Sequence, residues 1–242
     1  WKLAGAFLIG EISVKFKKFL AALACAGILS AGSVDASAIV DMQKNSSSDY
    51  EKITQLINWE RQSRVRHLYD ELADCYFEDA TVTISWTRGS IADFLKGGNR
   101  AEAAGEQAVV GRISPAIVHR HKSRAYVELP ATTLHWVTVN GEEAVLTTYM
   151  RLIYRVERRN GIWRIVDLTS INEDDTLEPA VAGTDLHIDA AELKNFRHSY
   201  RFLAYVRTKA GGTVSGDLLG IDRPADVEKI YRDAEDWIRA AR

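Results

Sequence analysis

The chain has 242 residues and a mass of 27.0 kDa, enough for one generous domain with additions or for two small ones. Hydrophobic residues make up 46% and charged residues 26%, which excludes a wholly disordered chain, and a formal charge of −2 gives no whole-molecule field for gripping nucleic acid. Two cysteines exclude a disulfide framework, 16 Gly against 4 Pro exclude collagen-like and proline-rich architectures, and no Cys/His cluster has structural-zinc spacing.

The only strongly apolar stretch follows Lys15, Lys17 and Lys18 and runs from Phe19 to Leu29. It ends in small residues, Ser30-Ala31-Gly32 and then Ala36-Ser37-Ala38. A basic head, a short apolar middle and a small-x-small tail describe a secretory signal over about residues 14–38, with export to a periplasm or beyond the cell as its implication. The apolar run is too short to span a bilayer, so no membrane attachment is expected after cleavage. Trp1 opens the chain, and Val14 is expected to mark a non-standard start codon with residues 1–13 upstream of it. Cys25 follows Ala22-Leu23-Ala24, a poor match to the leucine-led box of a lipoprotein. Cleavage after Ala38 removes four basic residues (Lys2, Lys15, Lys17, Lys18) and two acidic ones (Glu11, Asp35), taking the formal charge from −2 to −4. Cys75 is then the one remaining cysteine, and an intramolecular disulfide is impossible.

Residues 39–48, with Asn45-Ser46-Ser47-Ser48, read as a polar linker. Ser48-Asp49-Tyr50-Glu51 has the capping-box pattern, and Tyr50, Ile53, Leu56 and Ile57 follow at helical spacing. A second amphipathic run carries Leu68, Leu72, Cys75 and Tyr76. Thr81 to Trp86 alternates as a strand, and Ser90-Ile91-Ala92-Asp93 opens a short helix expected to close at Gly97-Gly98. His119 to Arg124 reads as a basic turn between two strands. Three β-branched runs follow, 126–139, 142–158 and 162–169, separated by Asn140-Gly141 and Asn160-Gly161. Asn-Gly between strand-like runs is the strongest short hairpin signal, so a three-stranded antiparallel meander is predicted. Helices first and a long curved sheet after them give an α+β class, with N-terminal helices packed on a strongly curved, mostly antiparallel sheet as a cone-shaped barrel with an apolar interior. After Pro179 the composition turns helical, with Ala190 to Lys209 stopping at Gly211-Gly212. Asp222-Arg223-Pro224 then caps a last helix that carries Val227, Ile230, Tyr231, Ala234, Trp237 and Ile238 on one face. The expected division is 1–38 upstream residues and signal, 39–48 linker, 49–183 cone and 184–242 helical extension, the last packed on the barrel or on a partner subunit.

Several stretches together resemble the SnoaL-like branch of the nuclear transport factor 2-like superfamily. They are Glu60-Arg61-Gln62-Ser63-Arg64, Cys75-Tyr76-Phe77-Glu78-Asp79-Ala80-Thr81-Val82 and Ser85-Trp86-Thr87-Arg88-Gly89-Ser90, then 149–155 and 159–165. The resemblance covers about residues 50–183 and implies a cone of helices on a strongly bent sheet enclosing one pocket. The superfamily includes scytalone dehydratase, ketosteroid isomerase, polyketide cyclases and a hexachlorocyclohexane dehydrochlorinase, several of which use metal-free acid–base chemistry. In the dehydratase and dehydrochlorinase type a histidine takes a proton from carbon while an aspartate orients it, a pairing suited to imidazole's near-neutral pKa. The family register puts the expected aspartate at Val65 and the expected histidine at Gly111, so the dyad is lost here.

Substitute groups are sought among the remaining polar residues. His135, inside an apolar strand beside Trp136, is the candidate base, with Glu60 as its orienting carboxylate. His119 and His121 lie near the missing histidine, although solvated histidines in a turn are the commoner case. Arg64, one turn after Glu60, is either its partner at a pocket or half of an ordinary surface ion pair. Trp86, Tyr149 and Asp167 complete the expected pocket lining, each with core packing or a strand partner as the plainer alternative. Asp174-Asp175 reads as a solvated loop, and no metal or cofactor is expected. Two functions stay open: a cofactor-free lyase or isomerase acting on a small apolar or polycyclic compound, and a non-catalytic ligand-binding or dimerisation module that kept the pocket. A homodimer would follow the superfamily's habit.

Overall fold

Asn140-Gly141 and Asn160-Gly161 each place two successive residues at positive φ, 51° and 93° at the first and 51° and 84° at the second. This left-handed pair matches the twist of the strands it joins, and asparagine and glycine enter it at least cost. The turns connect β5 (Arg124–Val139), β6 (Glu142–Arg159) and β7 (Ile162–Pro179), the predicted antiparallel meander. A computed structural model describes residues 37–103 and 109–241, with the side chains of 98–103 left aside. Val14, Cys25 and the signal before Ser37 lie outside the described residues.

Four shorter strands complete the sheet: β1 (Tyr76–Ile84), β2 (Thr87–Ser90), β3 (Val110–Ile113) and β4 (Ile117–His121). Its order is β2-β1-β7-β6-β5-β3, with β4 also on β5; β1 runs parallel to β7 and every other pairing is antiparallel. Two register shifts between β6 and β7, at Tyr149/Met150 and Arg155/Val156, mark bulges that bend the sheet. The result is the mixed α+β, strongly curved architecture expected from the sequence.

On the inner face Ala125, Val127, Leu129 and Ala131 of β5 join Leu152, Tyr154 and Val156 of β6. They meet Ile53, Leu56 and Ile57 of α2 (Asp49–Val65), with α3 (Tyr69–Asp74) and α4 (Ile91–Ala103) beside it. Ser48 caps α2 as predicted, its Oγ accepting from the Glu51 amide, while Glu51 reaches back to the amide of Ser47 rather than Ser48. The register of β5 with β6 is unbroken from end to end, so alternate residues keep one face throughout. Farther along that face, Val137, Val139, Ala144 and Leu146 lie under α5 (Ala190–Leu193) and α6 (Arg201–Lys209). The opposite face at Tyr126 is covered by α7 (Pro224–Arg239) through Ala234 and Ile238. The extension thus packs on both faces of its own sheet.

Several sequence expectations need correction. Residues 39–48 are not simply a linker, because α1 (Ala38–Lys44) buries Ile39 completely and Gln43 bonds the main chain of Trp163 as both donor and acceptor. The glycines at 97 and 98 do not stop α4, which continues to Ala103. Gly97 serves close packing instead, since a β-carbon there would stand 2.8 Å from Cζ3 of Trp86. His119 and His121 belong to β4, and the turn is formed by Lys122 and Ser123. The single helix expected over 190–209 is split by a short 3-10 turn, His198–Tyr200. Asp222 does not cap α7; it accepts from Arg197 Nε at 2.8 Å and Ser199 Oγ at 2.8 Å.

Candidate functional site

The face of α2 that meets the sheet carries Ile53, Ile57, Glu60 and Arg61, so its last turns bring charged groups into the core. Glu60 is fully buried. Its Oε2 accepts from Tyr154 Oη at 2.8 Å, and its Oε1 accepts from Tyr76 Oη at 2.8 Å and from Arg64 Nε at 3.1 Å. Arg64 Nη2 donates to the same Oε1. Burial pushes the Glu60 carboxyl up, but the charges of Arg64 and Arg61 and the donated hydrogen bonds outweigh it and hold the group below the usual carboxylate range. Burial and the neighbouring Glu60 charge raise both tyrosines well above their ordinary values. Glu60 is therefore a saturated anion and a poor base, and the surface ion pair considered from the spacing is a core network.

His135 does not join Glu60. It lies opposite Leu146 on the part of the sheet covered by α6, where burial and the Arg207 charge lower its pKa. Eight residues of β5 separate it from Val127, which pairs with Tyr154, and at 3.3 Å per residue that is about 26 Å of strand. The remaining expected lining disperses too. Arg64 stacks over the Phe94 ring at 4.7 Å, and Trp86 stacks on the same ring from the turn after β1. Tyr149 and Asp167 alternate to the outer face; Tyr149 is 39% exposed and Asp167 accepts from Thr81 Oγ1 at 2.6 Å. Burial raises the Asp167 carboxyl. His119 is also outward, stacked on Tyr126 and bonded to Glu128 Oε1 at 2.8 Å. Asp175 is buried rather than solvated and receives the amides of Phe202 and Leu203 at the start of α6.

What the fold does bring together is the pair of positions where the resemblance placed the missing dyad. Val65 ends α2, Gly111 lies in β3, and a β-carbon on Gly111 would stand 2.8 Å from Val65 Cγ1. Both line a pocket of about 310 Å³ with Arg61, Gln62, Arg112 and Ile113. A second pocket of similar size lies at Trp86, Arg88, Arg207 and Leu218, where the Arg88–Asp217 ion pair ties β2 to the extension. Arg61 entered the sequence reading only as part of a motif. Yet it continues the Ile53, Ile57 spacing by one more step of four, which was the available sign that it turns inward. Among the described residues no group of three His, Cys, Asp or Glu side chains is placed to hold a metal, and no helix is long and apolar enough to cross a membrane.

A family model described as a SnoaL-like domain matches residues 45–169, more than half of the chain. No curated protein matches the sequence. Among solved structures, a candidate scytalone dehydratase from Novosphingobium aromaticivorans DSM 12444 is 15% identical over 60% of this chain and 99% of that one, with a TM-score of 0.45. Hexachlorocyclohexane dehydrochlorinase LinA-type3 from Novosphingobium barchaimii LL02 is 15% identical over 55% of this chain and 89% of that one, with a TM-score of 0.45. An NTF2-like protein of unknown function from Pseudomonas putida KT2440 is 13% identical over 49% of this chain and 82% of that one, with a TM-score of 0.41. The match spans α2, the helices after it and most of the bent sheet, and the chain belongs to the SnoaL-like domain family.

Proposed function

We propose that the chain is a small-ligand-binding member of its family that does not carry out proton abstraction at the dyad positions. One observation supports this reading: Val65 and Gly111, where the family resemblance puts the dyad, meet at one pocket, and neither can take or give a proton. The space between them is also closed, because a β-carbon on Gly111 would overlap Val65. The substitute groups lend no support to catalysis, with Glu60 saturated by four donated bonds and His135 packed under α6. A small-molecule pocket beside these positions is compatible with binding alone.

The test is mass spectrometry of a metabolite extract incubated with catalytic amounts of the protein. Retention of a compound at no more than one per chain, without conversion, is expected. Conversion of any metabolite far beyond the amount of protein, including an isomer resolved by chromatography, would overturn the reading and restore a lyase or isomerase. Export belongs to the same proposal, on the strength of the basic, apolar and small-residue pattern before Ile39. The protein recovered from its own cells is expected to begin at Ile39, and an N-terminal peptide from upstream of Val14 would refute the proposed start.

A further inference from the structure

Building on that binding reading, we propose that the pocket at Val65 and Gly111 takes the carboxylate of a small organic monoanion, with the Arg61 guanidinium as its partner. Arg61 is 5% exposed, lines the pocket, and has an Nε that finds no hydrogen-bond acceptor. Its Nη2 stands 3.5 Å from where a β-carbon on Gly111 would be. A guanidinium removed from water with donors unpaired is costly, and structures retain such a group where something else accepts from it.

The charge balance points the same way. Within the cluster Glu60 is the carboxylate, and it faces two guanidiniums, Arg61 and Arg64. Arg64 donates two hydrogen bonds to Glu60 Oε1 and a longer one, at 3.4 Å, to Tyr76 Oη, while Tyr76 and Tyr154 each donate one to the Glu60 carboxylate. Arg61 contributes only through its charge, so one positive charge is left over at the pocket wall. A single excess charge calls for a monoanion. The Nε and Nη2 edge of a guanidinium offers two parallel donors, the fork that fits a carboxylate.

The rest of the lining suits an organic body behind that head. Val65 and Ile113 supply apolar wall, and any side chain at 111 would press on Val65 and crowd Arg61 Nη2. Exposed Gln62 and Arg112 flank the mouth, and Arg112 Nη1 is held at 2.8 Å by the carbonyl of Gly111 itself. Arg112 therefore adds positive potential at the entrance without competing for the inner position.

The experiment is calorimetric titration of the purified protein, at fixed ionic strength, with acetate, benzoate and 2-naphthoate, each against its neutral amide, and with phenyl phosphate. At least one carboxylate should bind at one per chain, and its amide about tenfold or more weaker. Arg61→Met should erase that preference. Gly111→Ala, which keeps Arg61 but places a methyl against Val65, should weaken the carboxylate by a similar factor with an unchanged circular dichroism spectrum. The assignment falls if no carboxylate in the series binds, if acid and amide bind alike, if phenyl phosphate binds more tightly than every carboxylate, or if the preference survives Arg61→Met. Should the metabolite extract yield a neutral compound held equally by wild type and Arg61→Met, the carboxylate is excluded while the binding reading stands. Turnover of any compound removes the binding reading whatever the charge of its substrate.

Discussion

At the scale of single residues, Glu60 shows how much of a side chain's role is set by partners remote in sequence. Its spacing from Arg64 is visible in any reading of α2, but Tyr76 and Tyr154, which complete its environment, are 16 and 94 residues away. Helical spacing cannot report that burial, which is why an ordinary surface ion pair is the plainer reading of the sequence. The network makes a definite prediction for Glu60→Gln, which keeps the shape and removes the charge. Arg61 and Arg64 would then share a buried site with no countercharge, and breaking a buried pair in this way costs about 3–5 kcal/mol. The denaturant midpoint should fall accordingly with little change in slope. A loss under about 1 kcal/mol would mean that the charges are better solvated than their burial implies. The sign with pH is also fixed. Because the folded pKa of Glu60 is lowered, its contribution is complete above the unfolded value near 4.5 and is lost as pH falls through the folded value. The wild type should therefore lose its advantage over Glu60→Gln on the acid side.

Among elements, the hairpins were legible and α4 was not, and the difference is between local and tertiary causes. Asn-Gly specifies its own backbone conformation, so 140–141 and 160–161 could be placed from the sequence with no knowledge of the rest. Gly97 owes its presence to Trp86, whose ring stacks on Phe94 at 5.1 Å and lies where a β-carbon would go. A glycine required for close approach and a glycine that ends a helix look alike in sequence. The two can be separated by experiment. Alanine in place of a helical glycine is worth about 1 kcal/mol in propensity, whereas forcing a methyl into a packed contact costs about 1–3 kcal/mol. Gly97→Ala should therefore be neutral to destabilising in the wild type. In a Trp86→Ala background the obstruction is absent and the same change should stabilise by about 1 kcal/mol. Equal effects in both backgrounds would show that the ring yields freely and that Gly97 has no packing role.

At the scale of the whole fold, the described residues form a bent sheet with its inner face shared between two sets of helices. The cone itself could be read from patterning and order of elements, and so could the amphipathic face of α7. The covering of the far end of the sheet by α6 could not, because Leu203 and Tyr205 meet Leu146 and Val139 through contacts no local pattern encodes. That covering is why His135, expected in the pocket, is a half-buried residue of β5 near Arg207 of the extension. Its titration offers a test of this architecture. Burial and then the nearby Arg207 charge disfavour the imidazolium, so the folded pKa lies below 6.5. As pH falls below 6.5 the unfolded chain binds a proton at His135 before the folded chain does, and stability must decline through that window until the folded group also titrates. Above 6.5 both states are neutral at this position and the contribution is flat. Each unit of displacement is worth about 1.4 kcal/mol. His135→Leu removes the titration and preserves apolar contact, so its stability relative to wild type should be constant above pH 6.5 and should rise steadily below it. Truncation before Ile188 removes α5, α6 and α7 and, by taking away α6, would uncover His135, returning its proton-resonance midpoint toward 6.5. A midpoint at or above 6.5 in the intact protein would mean that α6 does not seal this end of the sheet, and His135 would again be a candidate for contact with a ligand.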